Sequence, residues 1–86
     1  KTSQVAYDEH PLFKDLPNPF TATRYHSLVI DPTTITSDLR VIATSTDDNE
    51  IMAVCHKTLP IYGVQFHPES ICSPEGLTLL SNFINL

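Results

Sequence analysis

Length, composition and charge confine the chain to one small domain. The 86 residues allow one domain at most, and 41% apolar with 17% charged residues is typical of a soluble globular protein. The formal net charge is −5, and the five basic residues are scattered along the chain. The sequence therefore predicts no basic patch that could bind the phosphates of a nucleic acid.

Five extended segments are predicted in chain order. They lie at 1–7, 20–30, 39–46, 51–57 and 61–66. Apolar alternation indicates the first and the third, and richness in β-branched and aromatic residues indicates the second. One helical turn at 12–16, stopped by prolines, separates the first two. Because a polar turn joins the third and fourth segments, the simplest prediction for 39–57 is an antiparallel hairpin.

The last segment is predicted to be an amphipathic helix. Ser73 can cap it, and Pro74 suits the first helical position. Six apolar residues form a wide stripe at helical spacing, namely Leu77, Leu79, Leu80, Phe83, Ile84 and Leu86. A stripe of this width must pack against a large surface such as a sheet, so core packing is expected for these side chains.

The two cysteines predict neither a disulfide framework nor a zinc site, because both would need more cysteines or a closely spaced pair. Cys55 lies in a strand-like segment, where a small buried thiol is expected. No segment has the ~20 apolar residues of a membrane span, and no signal peptide is recognisable. The chain begins with Lys1 rather than Met, which suggests a piece of a longer protein.

A histidine and a carboxylate at the end of the fifth segment form the candidate catalytic pair. His67 follows the predicted strand, Pro68 fixes the chain after it, and Glu69 comes two positions on. A general base must keep one tautomer and one orientation, and a carboxylate on its second ring nitrogen provides both. Nucleophilic catalysis is the chemistry that such a pair would serve.

Other interpretations of the same residues remain open at this point. His-Pro-Glu could be an ordinary exposed turn. His26, His67 and Glu69 could in principle bind a metal, although no pair has helical i, i+4 spacing. A nucleophile is not evident, because Cys72 lacks the flanking glycines of a nucleophile elbow.

Two stretches carry a family resemblance. Residues 63–70, Gly-Val-Gln-Phe-His-Pro-Glu-Ser, resemble the His-Glu segment of class I (triad) glutamine amidotransferases. Residues 24–28, Arg-Tyr-His-Ser-Leu, resemble more narrowly the glutaminase component of anthranilate synthase and of aminodeoxychorismate synthase. Stretches 1–3, 51–57 and 76–83 agree with the same match, which covers essentially the whole chain in order.

The resemblance implies roles for individual residues. His67 would be the general base that activates a cysteine thiol, and Glu69 would orient its imidazole. Ser27 and Leu28 would hold the glutamine substrate. Three residues match a segment that would face the partner synthase subunit: Arg24, Tyr25 and His26. No metal and no cofactor is implied.

The family's Gly-x-Cys-x-Gly elbow and oxyanion loop are not found in the sequence. Residues 1–86 are therefore expected to be the C-terminal portion of a single amidotransferase domain, without the half that carries the nucleophile, and to be inactive alone. The implied fold is α/β and flavodoxin-like, with a mixed sheet, an antiparallel hairpin and a C-terminal helix. Such a portion would be at best marginally folded, with exposed strand edges.

The implied activity of the whole protein is hydrolysis of glutamine to glutamate and ammonia for the amination of chorismate in tryptophan biosynthesis. Its partner would be the chorismate-binding component I in a hetero-oligomer, with no nucleic acid and no membrane. The alternatives are the aminodeoxychorismate synthase glutaminase of folate biosynthesis and a non-catalytic module that only binds the synthase subunit. The expected compartment is the cytoplasm, or the plastid stroma in a plant or alga.

Overall fold

The computed structural model describes residues 2–23, 30–67 and 75–86, which form one sheet, one α-helix and two short 3-10 helices. The strands are β1 (Thr2–Tyr7), β2 (Phe20–Thr23), β3 (Leu39–Ser45), β4 (Ile51–His56) and β5 (Tyr62–Val64). The helix α1 spans Gly76–Ile84, and the 3-10 helices span Pro11–Phe13 and Pro32–Thr34. The strand order in the sheet is β2-β1-β3-β4-β5.

The predicted α/β class is confirmed, with its antiparallel hairpin and C-terminal helix. All four strand pairs among the described residues are antiparallel. The parallel pairing expected of a mixed sheet is thus not found in this part of the chain. Consecutive antiparallel strands need only short turns, such as residues 57–61 between β4 and β5, whereas a parallel pair needs a crossover of a dozen or more residues.

The hairpin of β3 and β4 confirms the prediction for residues 39–57. Val41 faces Val54 in the strand register, and the turn closes with the Ser45 N–H donating to Glu50 O at 3.0 Å. Asn49 has a φ of 59° within this turn. Asparagine tolerates this left-handed conformation better than most residues, which explains its place in the turn.

The core lies on the side of the sheet that carries the first 3-10 helix. Its most deeply buried large side chains are Val5, Leu12, Phe13, Ile42 and Met52, each at most 2% exposed. Tyr7 stacks on Phe13 with ring centroids 4.6 Å apart. The predicted helical turn at 12–16 is therefore observed as the shorter Pro11–Phe13 helix, which inserts its two apolar residues into the core.

The two edges of the sheet approach each other although three strands lie between β2 and β5 in the strand order. Phe66, just after β5, contacts Phe20 of β2, with ring centroids 5.5 Å apart. One residue later, the His67 N–H donates to Thr23 O at 3.0 Å. The sheet therefore curls until the chain beyond one edge strand bonds to the other, as the twist of a sheet allows.

The C-terminal helix is observed, but most of its predicted stripe does not reach the core. Leu79 is 3% exposed and packs in the core, and Leu80 is half-buried. Core packing was the wrong prediction for four residues of the stripe, which are 48–83% exposed: Leu77, Phe83, Ile84 and Leu86. The reason is that α1 packs on the narrow Pro11–Phe13 helix, which covers one side only. The predicted caps, Ser73 and Pro74, lie outside the described residues.

Candidate active site

His67 is placed by the chain that runs out of β5. Pairing with β4 continues past the end of that strand, since the Gln65 N–H donates to Met52 O at 2.9 Å. Phe66 then turns its ring into the core and is 4% exposed. A buried aromatic ring on one side and a continued strand ladder on the other leave the half-buried His67 at a defined position.

The bond between His67 and Thr23 connects the two sequence stretches that suggested a site. Thr23 is buried, and its carbonyl accepts the His67 N–H at 3.0 Å. The next residue in the sequence is Arg24, the first of the five-residue motif 24–28. The hydrogen bond therefore joins His67 to the residue directly before the motif, although the two are about 40 positions apart in the sequence.

His67 is the predicted site residue that the structure describes. The other predicted residues lie outside the described part of the chain, namely Glu69, Ser27, Leu28, Arg24, Tyr25 and His26. Their roles stay predictions. The metal alternative depends on two of these residues, and within 2–23, 30–67 and 75–86 no group of three or more His, Cys, Asp or Glu side chains has the arrangement of a metal site.

Thr23 is a site element that the sequence did not reveal. It was predicted only as part of the extended segment 20–30, and its structural contribution is a backbone carbonyl rather than a reactive side chain. Every residue has a backbone carbonyl, so the residue type at position 23 does not indicate that its carbonyl is an acceptor. Only the curl of the sheet brings this carbonyl to His67.

Comparison with known proteins identifies the family. The family model of class I glutamine amidotransferases matches residues 1–86. The chain therefore belongs to the class I glutamine amidotransferase family, as the two motifs predicted.

Within this family the similar proteins are synthase components. The chain is 49% identical over 86 residues to "Anthranilate synthase component 2" of Methanothermobacter thermautotrophicus, which covers all of this chain and 43% of the relative. It is 51% identical over 84 residues to "Aminodeoxychorismate/anthranilate synthase component 2" of Bacillus subtilis, covering 98% of this chain and 43% of the relative. The chain thus spans less than half the length of these relatives.

A solved structure supports the fold assignment. A crystal structure from Thermoplasma acidophilum, described as that of a GMP synthase subunit, superposes with a TM-score of 0.84 at 29% identity. The match covers 98% of this chain and 41% of that one. Among the described residues, no helix has the length and apolarity needed to cross a membrane.

Proposed function

We propose that residues 1–86 form the C-terminal portion of a glutaminase domain and contribute two of its three catalytic residues. His67 is the general base, and Glu69 orients its imidazole. A cysteine from the part of the domain before residue 1 supplies the thiol. Family membership over the whole chain, and a length of 43% of the two component 2 relatives, support this division.

The chemistry assigned to His67 is a pair of proton transfers. The imidazole takes the thiol proton as sulfur bonds to the side-chain amide carbon of glutamine, and it returns that proton to the nitrogen as the carbon–nitrogen bond breaks. Ammonia leaves, and a thioester remains. Water, deprotonated by the same imidazole, then attacks the thioester and releases glutamate and the thiol.

The proposed substrate contacts come from the stretch after Thr23. Ser27 and Leu28 hold the polar end of glutamine, and Arg24, Tyr25 and His26 face the partner subunit. The observation that supports this proposal is the 3.0 Å hydrogen bond from the His67 N–H to Thr23 O, because the proposed base is then close to the start of the proposed substrate-binding stretch. A base must lie within hydrogen-bond reach of the group it deprotonates, so the mechanism requires His67, the thiol and the bound glutamine to share one site.

We assign the released ammonia to a chorismate-aminating partner, component I, in a hetero-oligomer. The names of the two relatives support the anthranilate synthase assignment, and the Bacillus subtilis name includes the aminodeoxychorismate reaction as the alternative. On the family resemblance we place the protein in the cytoplasm, or in the plastid stroma of a plant or alga. Pairing the full-length protein with each component I and measuring glutamine-dependent product separates the two pathways.

The test of the proposed mechanism is the His67→Ala variant of the full-length gene product in complex with component I. Glutamine-dependent synthesis should fall by a factor of about 10³ or more, since triad members act as a unit. Synthesis from added ammonia should stay at the level of the unaltered complex, because ammonia bypasses the glutaminase. Equal loss of both activities would contradict the role of His67, and component I binding without any glutaminase activity in the unaltered protein would favour the non-catalytic module.

A further inference from the structure

A cleft of ≈ 460 Å³ lies at the end of β5 opposite to His67, where β3 begins and β4 ends. Its polar side chains can all donate hydrogen bonds: Arg40, Lys57, His10, His56, Thr58 and Tyr62. Among the described residues that line it, none carries a carboxylate. Two of the five cationic residues of a chain with net charge −5 therefore lie around one cleft.

The register of the sheet brings the lining residues together. Arg40 of β3 pairs with Cys55 of β4, and Cys55 pairs with Tyr62 of β5. Residues paired directly across neighbouring strands share a face of the sheet and lie about 5 Å apart. Cys55 is 5% exposed and forms the floor, so the guanidinium of Arg40 and the ring of Tyr62 stand on either side of it.

Both histidines of the cleft are held as Nε2–H donors. His10 Nδ1 accepts the Leu12 N–H at 3.1 Å, and its ring contacts Tyr62 with centroids 5.6 Å apart. His56 Nδ1 accepts the N–H groups of Thr58 and Leu59 at 3.1 and 3.0 Å. A neutral imidazole whose Nδ1 accepts a hydrogen bond carries its proton on Nε2.

Charge and burial agree with this arrangement. Burial, and then the positive charge of Arg40, lower the pKa of His10, which favours the neutral ring. Arg40 Nη2 also lies 3.7 Å from Asp8 Oδ2, an exposed ion pair of the kind that contributes little to stability. Asp8 is therefore a weak internal competitor for the same guanidinium.

We propose that this cleft binds the oxyanion group, phosphate or carboxylate, of a small molecule. Arg40 provides a planar pair of N–H donors, which matches two oxygens of such a group. Lys57 and the two Nε2–H groups supply further donors around it, and a cleft of ≈ 460 Å³ has the size of a small-molecule site. The proposal concerns binding at this cleft and does not depend on the glutaminase assignment.

The test is a titration of the full-length gene product with inorganic phosphate and, separately, with malonate, at constant ionic strength. Binding is followed by calorimetry and by NMR signals of the histidine rings. Saturable binding at concentrations below about 10 mM is expected for at least one of the two anions. Stronger binding of phosphate would assign a phosphorylated ligand, and stronger binding of malonate a dicarboxylate.

Three variants report on the geometry. Arg40→Gln should weaken binding about tenfold or more, as loss of a charged hydrogen-bond partner does. Lys14→Gln removes the same charge outside the cleft and should leave binding within about twofold, since screened charges at a distance act weakly. His56→Asn retains an acceptor for the 57–59 turn and removes the Nε2–H donor, so it should also weaken binding.

Two results would overturn the proposal. One is the absence of saturable binding of both anions. The other is an equal loss in Arg40→Gln and Lys14→Gln, which would show that only net charge matters. If Arg40→Gln does not fold, Lys57→Gln takes its place, and Asp8→Asn should tighten binding because it removes the competing carboxylate.

Discussion

Two residues cap the two 3-10 helices in the same way but respond to pH in opposite senses. His10 and Asp31 each precede a proline and accept the N–H two residues on, from Leu12 and Thr33 respectively. Hydrogen bonds from the backbone and then the side chain of Thr33 lower the pKa of Asp31. Folding therefore favours the charged form of Asp31. Burial and the charge of Arg40 instead make folding favour the neutral form of His10.

The first prediction concerns the pH dependence of stability through His10. Its pKa is lowered in the folded chain, so the unfolded chain binds the proton more readily. The contribution is fully present above the ordinary histidine pKa of about 6.5 and is lost as the pH falls through that value towards the lowered one. His10→Asn keeps an acceptor for the Leu12 N–H and should flatten this part of the curve.

The measurement is the urea midpoint of the full-length gene product between about pH 5 and pH 8, the range in which histidine titrates. Arg40, Tyr62 and His56 share the cleft with His10. Glu9 and Lys14 line a second cleft beside His10. Because each variant differs from the unaltered protein at one residue only, all these neighbouring groups are the same in the proteins that are compared. Asp31→Asn is the matched control, because its carboxylate is already ionised throughout this range. An unchanged slope in His10→Asn would contradict the prediction.

At the scale of elements, the side chain of Asn82 bonds α1 to the first 3-10 helix. Asn82 Nδ2 donates to Leu12 O at 3.0 Å and to Lys14 O at 2.8 Å, two carbonyls at the end of the first 3-10 helix. Leu79 packs into the core one helical turn earlier. A helix of nine residues is marginal by itself, so these tertiary contacts hold it in place.

Replacing Asn82 by Ala should therefore lower the free energy of unfolding by about 1–2 kcal/mol, since the part-buried bond to Leu12 O and the exposed bond to Lys14 O both lose their donor. Asn85→Ala is the matched control, because Asn85 Nδ2 bonds only locally, to Ser81 O at 2.9 Å. Its effect should stay below about 0.5 kcal/mol. Urea unfolding of both variants of the full-length gene product, monitored by circular dichroism, makes the comparison, and equal losses would refute the attachment role.

The elements that could be predicted are those whose signals are local. Alternation and a polar turn at 46–50 suffice for the β3–β4 hairpin, and spacing suffices for the existence of α1. The hydrogen bond from His67 to Thr23 could not be predicted, because it depends on how far a whole sheet curls. Motifs sufficed to identify the family and His67. The exposure of Leu77 could not be predicted, because it depends on which surface packs against the helix and residue spacing does not indicate that surface.

At the scale of the whole molecule, the described part of the chain is thin and exposes many apolar side chains. The principal extents are 33 × 30 × 18 Å, so the short side holds little more than a sheet and one covering layer. Among residues 2–23, 30–67 and 75–86, seven large apolar residues are at least 39% exposed: Leu59, Ile61, Val64, Leu77, Phe83, Ile84 and Leu86. Exposed apolar residues in such number, three of them in the edge strand β5 or in the turn before it, favour association between chains.

The 86-residue chain alone should therefore unfold over a broad temperature range and elute at a size that increases with concentration. Two variants separate the exposed from the buried part of α1. Leu77→Ser should reduce association and leave the secondary structure intact, because Leu77 is 83% exposed. Leu79→Ser should abolish the fold, because a buried leucine contributes about 2–5 kcal/mol and little stability is available to lose. In the full-length gene product, Leu77→Ser should become destabilising if the proposed remainder of the domain covers α1. A sharp, concentration-independent melt of the 86-residue monomer would contradict the division of the domain proposed above, whereas a broad melt that sharpens in the longer protein would support it.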